Sequence, residues 1–486
     1  IGQLAAKGVL SGYPDGTYKG KQPTTRYEMA SALARALALS DLSKASKQDV
    51  EMLKKLVAEF KDELDAMSVK VDELDVRVGT MESRLGGWKI SGVLRQDLTQ
   101  VMDANPSLSN PRGGTESFTP LARARLFIER WFGEDENLHF YARLRADTGR
   151  YASGSVDAFY DRFYVDFPVW GDAQMFVGRQ IYEALEVPYY LDSGSNPFSK
   201  HMGMGTDSWL YDRALDAIGL KKTFGAGTAW FYATHTNLDL STLSPGSALF
   251  GFWELYLAGQ FQFSERFGFD LGIQYLFGDD SADQLASANL ELSSIYTAFG
   301  GLRFNFNENI ALKGMYYLQD FGGTVRSGTN AWLQEDAKAW RAVIDVKQDM
   351  LKFTSLWLEF DMVDNGFFMP TGPRALFNNY DWAFKELEGL VSANNVVHSD
   401  LTIWRIAAQQ QWNDKFSTFE YFTNLTADTP TGTTDDGKLT QWGIGVGYQY
   451  NPSVLFGLSW EQVSFSDAWD GRNDPGQIRF RTQVTF

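Results

Sequence analysis

Between residues 46 and 86, the hydrophobic positions recur in alternating steps of three and four residues. The seam consists of Val50, Leu53, Val57, Phe60, Leu64, Met67, Val71, Leu74, Val78, Met81 and Leu85. Lys, Asp and Glu fill most of the remaining positions. Residues 46–86 are therefore predicted to form an α-helical coiled coil. The alternative is a single long amphipathic helix packed on a domain.

After Gly86 and Gly87, the hydrophobic period changes from 3.5 to two. In HFYARLRAD, residues 139–147, apolar residues at even positions alternate with polar and charged residues at most odd positions. About 18 such runs follow one another to the last residue, Phe486. This pattern predicts about 18 β-strands, with 16 as the alternative number.

The connections between these runs alternate between short and long. Tight turns such as GEDE at 133–136 and NPS at 451–453 alternate with loops such as 181–212 and 362–400. Tryptophans cluster near the ends of the runs, as in aromatic girdles at a membrane interface. Residues 87–486 are therefore predicted to form a transmembrane antiparallel β-barrel. A soluble β protein with a large core is the alternative.

Composition and charge narrow the classes of partner and chemistry. The chain of 486 residues has a formal net charge of −17, which argues against nucleic acid as a partner. It contains no cysteine and four histidines, so thiolate metal sites and disulfides are excluded, and we expect neither a metal nor another cofactor. No Ser and His pair suggests a lipase-type barrel, so an enzyme is not expected.

The segment that precedes the heptads resembles an S-layer homology (SLH) domain. The resemblance rests on a G-x-x-x-G-x-x-D-G turn and a T-R-x-E at a helix start, formed here by Gly8, Gly12, Asp15, Gly16, Thr25, Arg26 and Glu28. We place this domain at residues 1–42 and expect it to be incomplete at its N-terminus, because the family's first aromatic and acidic stretch is absent. The resemblance implies that Gly12, Asp15, Gly16, Arg26 and Glu28 bind peptidoglycan or an attached wall polymer.

Local structure offers a second interpretation of two of these residues. Thr25 is a plausible N-cap, and Glu28 three residues later would complete a capping box. Both residues could therefore serve the helix alone. Arg26 is not needed for capping, because cations stabilise the other end of a helix. Arg26 is thus the strongest candidate for a contact with the wall.

The end of the chain and the order of its parts carry a further resemblance. The last run, QIRFRTQVTF, ends in Phe and resembles the assembly signal of bacterial outer-membrane barrels. An SLH domain, a coiled coil and a barrel in this order resemble SLH-bearing porins. The fold class predicted is thus mainly β: an outer-membrane barrel, surrounded by lipid, preceded by a coiled coil and a partial helical SLH domain in the periplasm. We expect a homo-oligomer, specifically a trimer.

Alternation within the first strands predicts a basic wall inside the barrel. The positions assigned to the lumen are Arg95, Arg123, Arg125, Arg143, Arg145, Arg162 and Arg179. The third long loop, 181–212, carries Glu183, Glu186 and Asp192. In the general porins that the barrel resembles, this loop enters the lumen and faces an arginine ladder, which implies a pore constriction here. Pairing of these arginines with neighbouring carboxylates is the alternative.

These features lead to the hypothesis of a porin for passive diffusion of small hydrophilic solutes, tethered to peptidoglycan. A substrate-selective channel for anions or sugars is one alternative, and a mainly structural tether is another. Aligned inward aromatics would favour sugars, and a lumen of one positive sign would favour anions. Mixed lumen charge favours neither.

Overall fold

A computed structural model of the chain describes most of the barrel and a few residues before it. The described residues are 28, 29, 32, 55, 59, 87–103, 117–133, 137–148, 156–180, 209–210, 215–238, 250–278, 290–325, 336–370, 391–393, 396–428 and 435–486. The chain divides into two compact units, one of Ile1–Ile90 with Ile128–Phe132 and one of Ser91–Phe127 with Gly133–Phe486.

The predicted SLH domain and coiled coil lie almost entirely outside the described residues. Glu28, Met29, Ala32, Lys55 and Glu59 are described, and each of them is helical. The coiled coil and the three domain boundaries therefore stay predictions. No helix within the described part of the chain is long and apolar enough to cross a membrane.

Eighteen strands form one antiparallel sheet, as the alternation predicted. They are β1 (Lys89–Met102), β2 (Ser117–Phe132), β3 (Leu138–Thr148), β4 (Val156–Pro168), β5 (Gln174–Gln180), β6 (Leu215–Phe224), β7 (Gly227–Leu238), β8 (Phe250–Gln262), β9 (Phe267–Gly278), β10 (Leu290–Asn307), β11 (Ile310–Val325), β12 (Ala337–Val346), β13 (Ser355–Val363), β16 (Leu401–Gln411), β17 (Phe416–Ala427), β18 (Gly437–Asn451), β19 (Val454–Asp467) and β20 (Gly476–Thr485). Two short strands, β14 (Ser392–Ala393) and β15 (Val396–Val397), pair separately.

The first and last strands close the sheet into a barrel. β1 pairs antiparallel with β20 in a register that runs from Val93 opposite Thr485 to Met102 opposite Gly476. The terminal Phe486 adds a reciprocal pair of backbone hydrogen bonds with Gly92, of 2.7 and 2.9 Å. Closure removes the two free edges that an open sheet of this size would expose.

The strands turn an apolar face outward and a polar face inward. On β8, the outward Trp253, Leu255 and Leu257 are 48, 37 and 49% exposed, whereas the alternate Glu254 and Tyr256 are 2 and 0% exposed. Apolar side chains on the outside and charged side chains inside are what a bilayer requires of a barrel. The charged lumen is therefore a direct product of the two-residue period.

Short turns lie at one end of the barrel, and asparagine side chains build several of them. The side-chain oxygen of Asn307 accepts hydrogen bonds from the backbone N–H groups of Asn309 and Ile310, at 2.8 and 3.0 Å. Asn451 makes the same contact with Ser453 at 2.9 Å. These are Asx turns, in which a side chain replaces a backbone acceptor. Because consecutive strands are antiparallel and the short turns lie at one end, the long connections leave from the opposite end.

Two segments from the long-loop end fold back against the inside of the wall. Trp209 and Leu210, which precede β6, are fully buried, and so are Phe367, Phe368 and Met369, which follow β13. Trp209, Leu210, Phe367 and Met369 join a core formed by inward residues of β6–β8, β10–β13 and β16–β19. Glycines make room for this core, since a Cβ on Gly272 would lie 2.3 Å from the Phe299 ring.

A charged lumen as the candidate functional site

Arginines of the first three strands lie on the inward face. Arg95 shares its face of β1 with the buried Asp97, whereas Leu94 and Leu98 on the opposite face are exposed. Arg123 and Arg125 take the same inward positions on β2, and Arg143 and Arg145 on β3. A strand places residues two apart on the same face, so each pair stacks along the barrel axis.

A β-bulge adds Arg162 to this group. The register of β3 with β4 changes after Arg143 opposite Arg162, where Leu144 lies opposite Tyr160. Asp161 is the extra residue, and its carboxylate accepts a bidentate hydrogen bond from Arg143, with the Nε contact at 2.6 Å. Both Asp161 and Arg162 thereby reach the lumen side of β4, which a regular strand would not allow.

Carboxylates bridge the arginines of neighbouring strands. Asp147 accepts hydrogen bonds from Arg123 at 2.8 and 3.3 Å and from Arg145 at 2.9 Å. Arg145 also lies 4.0 Å from Asp161. Arg123, Arg143 and Arg145 thus pair with neighbouring carboxylates, which was the alternative to an unpaired arginine ladder. These carboxylates hold the three side chains in place.

Barrel closure brings two further arginines to the same wall. Arg481 on β20 donates to Asp97 on β1 at 2.7 and 2.9 Å, and Arg95 approaches the same carboxylate at 3.1 Å. Arg479 lies 3.3 Å from Glu461 on β19. Sequence reasoning missed Arg479 and Arg481, although they alternate with the outward Ile478 and Phe480. The signal was present, but their position beside Arg95 depends on the closing register.

We call this set the basic wall: Arg95, Arg123, Arg125, Arg143, Arg145, Arg162, Arg479 and Arg481. Its eight guanidinium groups face the four carboxylates Asp97, Asp147, Asp161 and Glu461, which leaves an excess of four positive charges. The Nε atoms of Arg125 and Arg162 are buried without a hydrogen-bond partner among the described residues. Unlike Arg123, Arg143 and Arg145, these two arginines therefore have no Nε hydrogen bond to a carboxylate of the wall.

Arg179 does not join the basic wall, which corrects its assignment to the lumen. Gln174 and Gln180 hold the inward positions of β5, and Arg179 has the opposite parity, together with the exposed Val177. Its guanidinium pairs with Asp216 of β6 at 2.9 Å on the outer face, where the Asp216 side chain is 68% exposed. The apolar triplet Met175, Phe176 and Val177 conceals the alternation in the sequence of this short strand.

The predicted acidic partners in loop 181–212 lie outside the described residues. This applies to Glu183, Glu186 and Asp192. The wall-binding candidates Gly12, Asp15, Gly16 and Arg26 lie outside them as well, and Glu28 is described only as a helical, partly exposed residue. Trp209 and Leu210 at the end of the same loop are described, and they lie within the barrel core.

A second charged network lies on the inward faces of β12, β13 and β16. Arg341 lies 3.1 Å from Glu359 and 3.2 Å from Asp361, and Arg405 lies 2.9 Å from Glu359. All four side chains are at most 1% exposed, whereas the Arg95, Arg123 and Arg145 side chains are 12, 19 and 16% exposed. Solvent therefore reaches these three arginines of the basic wall but not the second network.

Inward aromatic rings form a row across four strands. Ring centroids are 6.2 Å apart between Tyr232 and Tyr256, 5.9 Å between Tyr256 and Phe299, and 6.3 Å between Phe299 and Tyr317. Trp209 extends the row, 5.1 Å from Tyr317. Each ring is at most 5% exposed, so the row packs beneath the folded-in segments and has almost no contact with the open lumen.

Solved structures with a similar fold include bacterial outer-membrane barrels. A BenF-like porin from Pseudomonas fluorescens superposes with a TM-score of 0.54 at 10% identity, covering 82% of this chain and 99% of that one. Pseudomonas aeruginosa OpdL gives 0.53 at 11%, covering 83 and 99%. At this identity the likeness extends to the fold. The described barrel is thus a closed 18-stranded barrel of the porin type.

The N-terminal part is similar to a different group of proteins. Residues 1–30 match the family model of the S-layer homology domain. Outer membrane protein SlpA of Thermus thermophilus is 33% identical over 90 residues, 16% of this chain and 10% of that protein. An uncharacterized protein of Nostoc is 38% identical over 85 residues, 16% of this chain and 14% of that protein. These alignments cover only a small fraction of the relatives' length.

Together, the fold and the N-terminal match identify the chain as an outer-membrane barrel protein of the porin type. More particularly, it is an SLH-domain-bearing outer-membrane protein, as its sequence pattern predicted. The barrel fold and the relatives' names point to a channel or a structural protein. No cluster of metal-binding side chains occurs within the described ranges.

Proposed function

We propose that the barrel is a passive pore for small hydrophilic solutes, which move along the basic wall. The observation that carries this proposal is the difference in solvent access between the two sides of the lumen. The side chains of Arg95, Arg123 and Arg145 in the basic wall are partly exposed, whereas the charged side chains of β12, β13 and β16 are buried. A hydrated solute needs polar groups that water already reaches.

The experiment that tests this proposal is single-channel recording of the purified protein in a planar bilayer. We expect steady ohmic conductance that rises in proportion to salt concentration, as in a water-filled pore. A barrel that inserts without conducting would overturn the pore and favour the structural tether.

A selective anion channel is the second candidate, favoured by the four excess positive charges and by Arg125 and Arg162, whose buried Nε atoms have no hydrogen-bond partner among the described residues. A bidentate guanidinium contact suits carboxylate and phosphate groups. Small organic carboxylates added to one side should then reduce the ion current in a saturable manner. A current that responds to carboxylates no more than to neutral sugars of the same size supports the general pore.

A sugar channel has less support. Such a channel would present aligned aromatic rings to the solute, and the row from Tyr232 to Tyr317 is buried beneath Trp209 and its neighbours. Tyr141 and Tyr164, stacked 5.2 Å apart beside Arg143 and Arg162, are partly exposed. Two rings form a much shorter surface than a continuous slide would need.

We further propose that the N-terminal domain tethers the outer membrane to peptidoglycan or an attached polymer, with Gly12, Asp15, Gly16, Arg26 and Glu28 in contact with it. The match of residues 1–30 to the SLH family model supports this proposal. The unbroken heptad seam supports a homo-oligomer held together at the stalk, since a seam of this length needs partner helices. We propose a trimer on the resemblance of the barrel to general porins, because the seam residues do not determine the number of helices. Glu183, Glu186 and Asp192 remain candidates for an acidic side of the pore constriction.

A further inference from the structure

Two chain segments occupy the lumen beside the second charged network. One is Trp209–Leu210, which belongs to the connection between β5 and β6, and the other is Gly366–Met369, which follows β13. The large side chains of both segments are completely buried. Neither segment belongs to the barrel wall, so specific contacts must hold them inside it.

Arg341 makes the main contact with the first segment. Its guanidinium carbon lies 4.3 Å from the centroid of the Trp209 ring, which is within the range of a cation–π contact. The centroid of the Trp209 ring also lies 5.1 Å from that of Tyr317 and 6.5 Å from that of Phe367, the latter in an edge-to-face contact. Trp209 therefore joins the wall to the second segment, with Arg341 behind it.

The orientation of Arg341 is fixed by its charged neighbours. Cross-strand pairing places Arg341 opposite Asp361, and Glu359 opposite Arg405. Glu359 also accepts a hydrogen bond of 2.7 Å from the Trp357 indole N–H. Paired charges of this kind hold a buried guanidinium in one place. The network thus fixes the Arg341 guanidinium in the position where it contacts the Trp209 ring.

Gln319 of β11 holds the second segment. Its side-chain oxygen accepts a hydrogen bond from the Phe368 N–H at 2.6 Å, and its amide nitrogen donates to the Phe368 carbonyl at 3.0 Å. Phe367 pairs with β15 through the Val397 N–H at 2.9 Å. A reciprocal amide pair with the backbone imitates one rung of a β-ladder, and it attaches this segment to the wall independently of Trp209.

We infer that Arg341 is a positioning residue that keeps the β11–β13 and β16 side of the lumen closed by holding Trp209 in place. Permeation is then restricted to the half of the lumen that the basic wall lines. This inference rests on the proposed pore function, and it adds the residue that sets the width of the pore. Arg341 itself touches no solute.

The electrical test compares two variants with the wild type in planar bilayers. Trp209→Ala removes the ring, and Arg341→Met removes the charge that faces it at similar length. Because conductance follows the open cross-section, releasing the first segment should raise single-channel conductance by a factor of up to about two. The second segment stays attached through Gln319 in both variants. Trp209→Phe, which keeps an aromatic ring for Arg341 and Tyr317, is the matched control and should change conductance least.

A chemical test does not depend on conduction. The chain has no cysteine, so Leu210→Cys introduces a single thiol at a fully buried position. In folded protein this thiol should react slowly with a charged, membrane-impermeant thiol reagent, and adding Arg341→Met should accelerate the reaction at least tenfold. Heat-modifiable gel mobility of each variant verifies that the barrel is folded.

The outcomes distinguish the positioning role of Arg341 from the pore function of the barrel. Unchanged conductance in both Trp209→Ala and Arg341→Met, together with an unreactive thiol, would overturn the inference. If the wild type does not conduct but the thiol becomes reactive in Arg341→Met, the positioning of Trp209 by Arg341 is supported and the pore function is contradicted. If Arg341→Met does not fold because Asp361 loses its cross-strand partner, Trp209→Ala, which leaves that network intact, provides the same readouts.

Discussion

The Asp97 carboxylate joins the two ends of the barrel sheet, and it does so inside the wall. It binds Arg481 from β20 at 2.7 and 2.9 Å and Arg95 from its own strand at 3.1 Å. Asp97 and Arg481 are both almost completely buried. A buried charge that loses its partner is expensive, because the remaining group keeps its desolvation cost without compensation.

This contact leads to a prediction about stability. Arg481→Met should lower the free energy of unfolding by about 3 to 5 kcal/mol, the usual cost of breaking a buried pair on one side. Arg481→Lys, which keeps a charge but loses the bidentate geometry, should cost less. Urea unfolding of the barrel in detergent, followed by tryptophan fluorescence, measures both. Equal midpoints for Arg481→Met and the wild type would contradict the role given to this pair.

At single positions, the sequence predicts which face a residue occupies where alternation is clear. Arg95, Arg123, Arg125, Arg143 and Arg145 lie inward because large apolar residues alternate with them. Arg179 was misplaced because three apolar residues precede it and hide the period. Arg162 reaches the lumen through a bulge at Asp161, which restarts the alternation, and a local irregularity of this kind has no clear sequence signature.

At the scale of strands, the number and boundaries of the elements follow from the sequence, but their pairing does not. Arg341, Glu359 and Arg405 are far apart in the chain and meet only because β12, β13 and β16 pair in one register. They were not assigned to the lumen from the sequence, although each alternates with more exposed neighbours in the structure. Which charges neutralise each other depends on register, and a shift by one residue would turn every one of them toward lipid.

The stalk permits a prediction at the same scale. Replacing Leu64 and Leu74 by Asp should disrupt the coiled coil, because each change buries unpaired charge in the seam. Helical circular dichroism should fall, and trimers should survive only if barrel contacts suffice. Replacing Lys61 and Lys70, which lie outside the seam, by Asp is the control and should preserve the helical signal. A light-scattering mass of one protomer for the intact wild type would contradict the proposed oligomer.

At the scale of the whole molecule, loop length is visible in the sequence and loop direction is not. The long connections after β5 and β13 read simply as long polar and aromatic segments. Within the described residues, the buried positions of Trp209 and Phe368 depend on contacts with Arg341, Tyr317 and Gln319, which strand pairing brings together on β11 and β12. An asymmetric lumen, open along one wall and packed along the other, therefore could not be foreseen from local patterns.

The tether is testable with the whole chain. Purified wild-type protein should sediment with isolated peptidoglycan sacculi, and Arg26→Ala should weaken this binding while the barrel remains folded. Arg35→Ala changes an arginine outside the T-R-x-E motif and should bind as the wild type does. Undiminished binding by Arg26→Ala would remove Arg26 from the site, and absence of wild-type binding would contradict the tether.

Ion selectivity tests the central claim, a pore lined by the basic wall, most directly. The measurement is the reversal potential across a planar bilayer under a salt gradient. The wild type should favour anions, and the double variant Arg125→Gln with Arg162→Gln should shift toward cations. The shift should be larger in dilute salt, because screening at moderate salt extends only about 8 to 10 Å. Arg179→Gln, on the outer face, should leave the potential unchanged. A cation-selective wild type, or a double variant that matches it, would contradict this account.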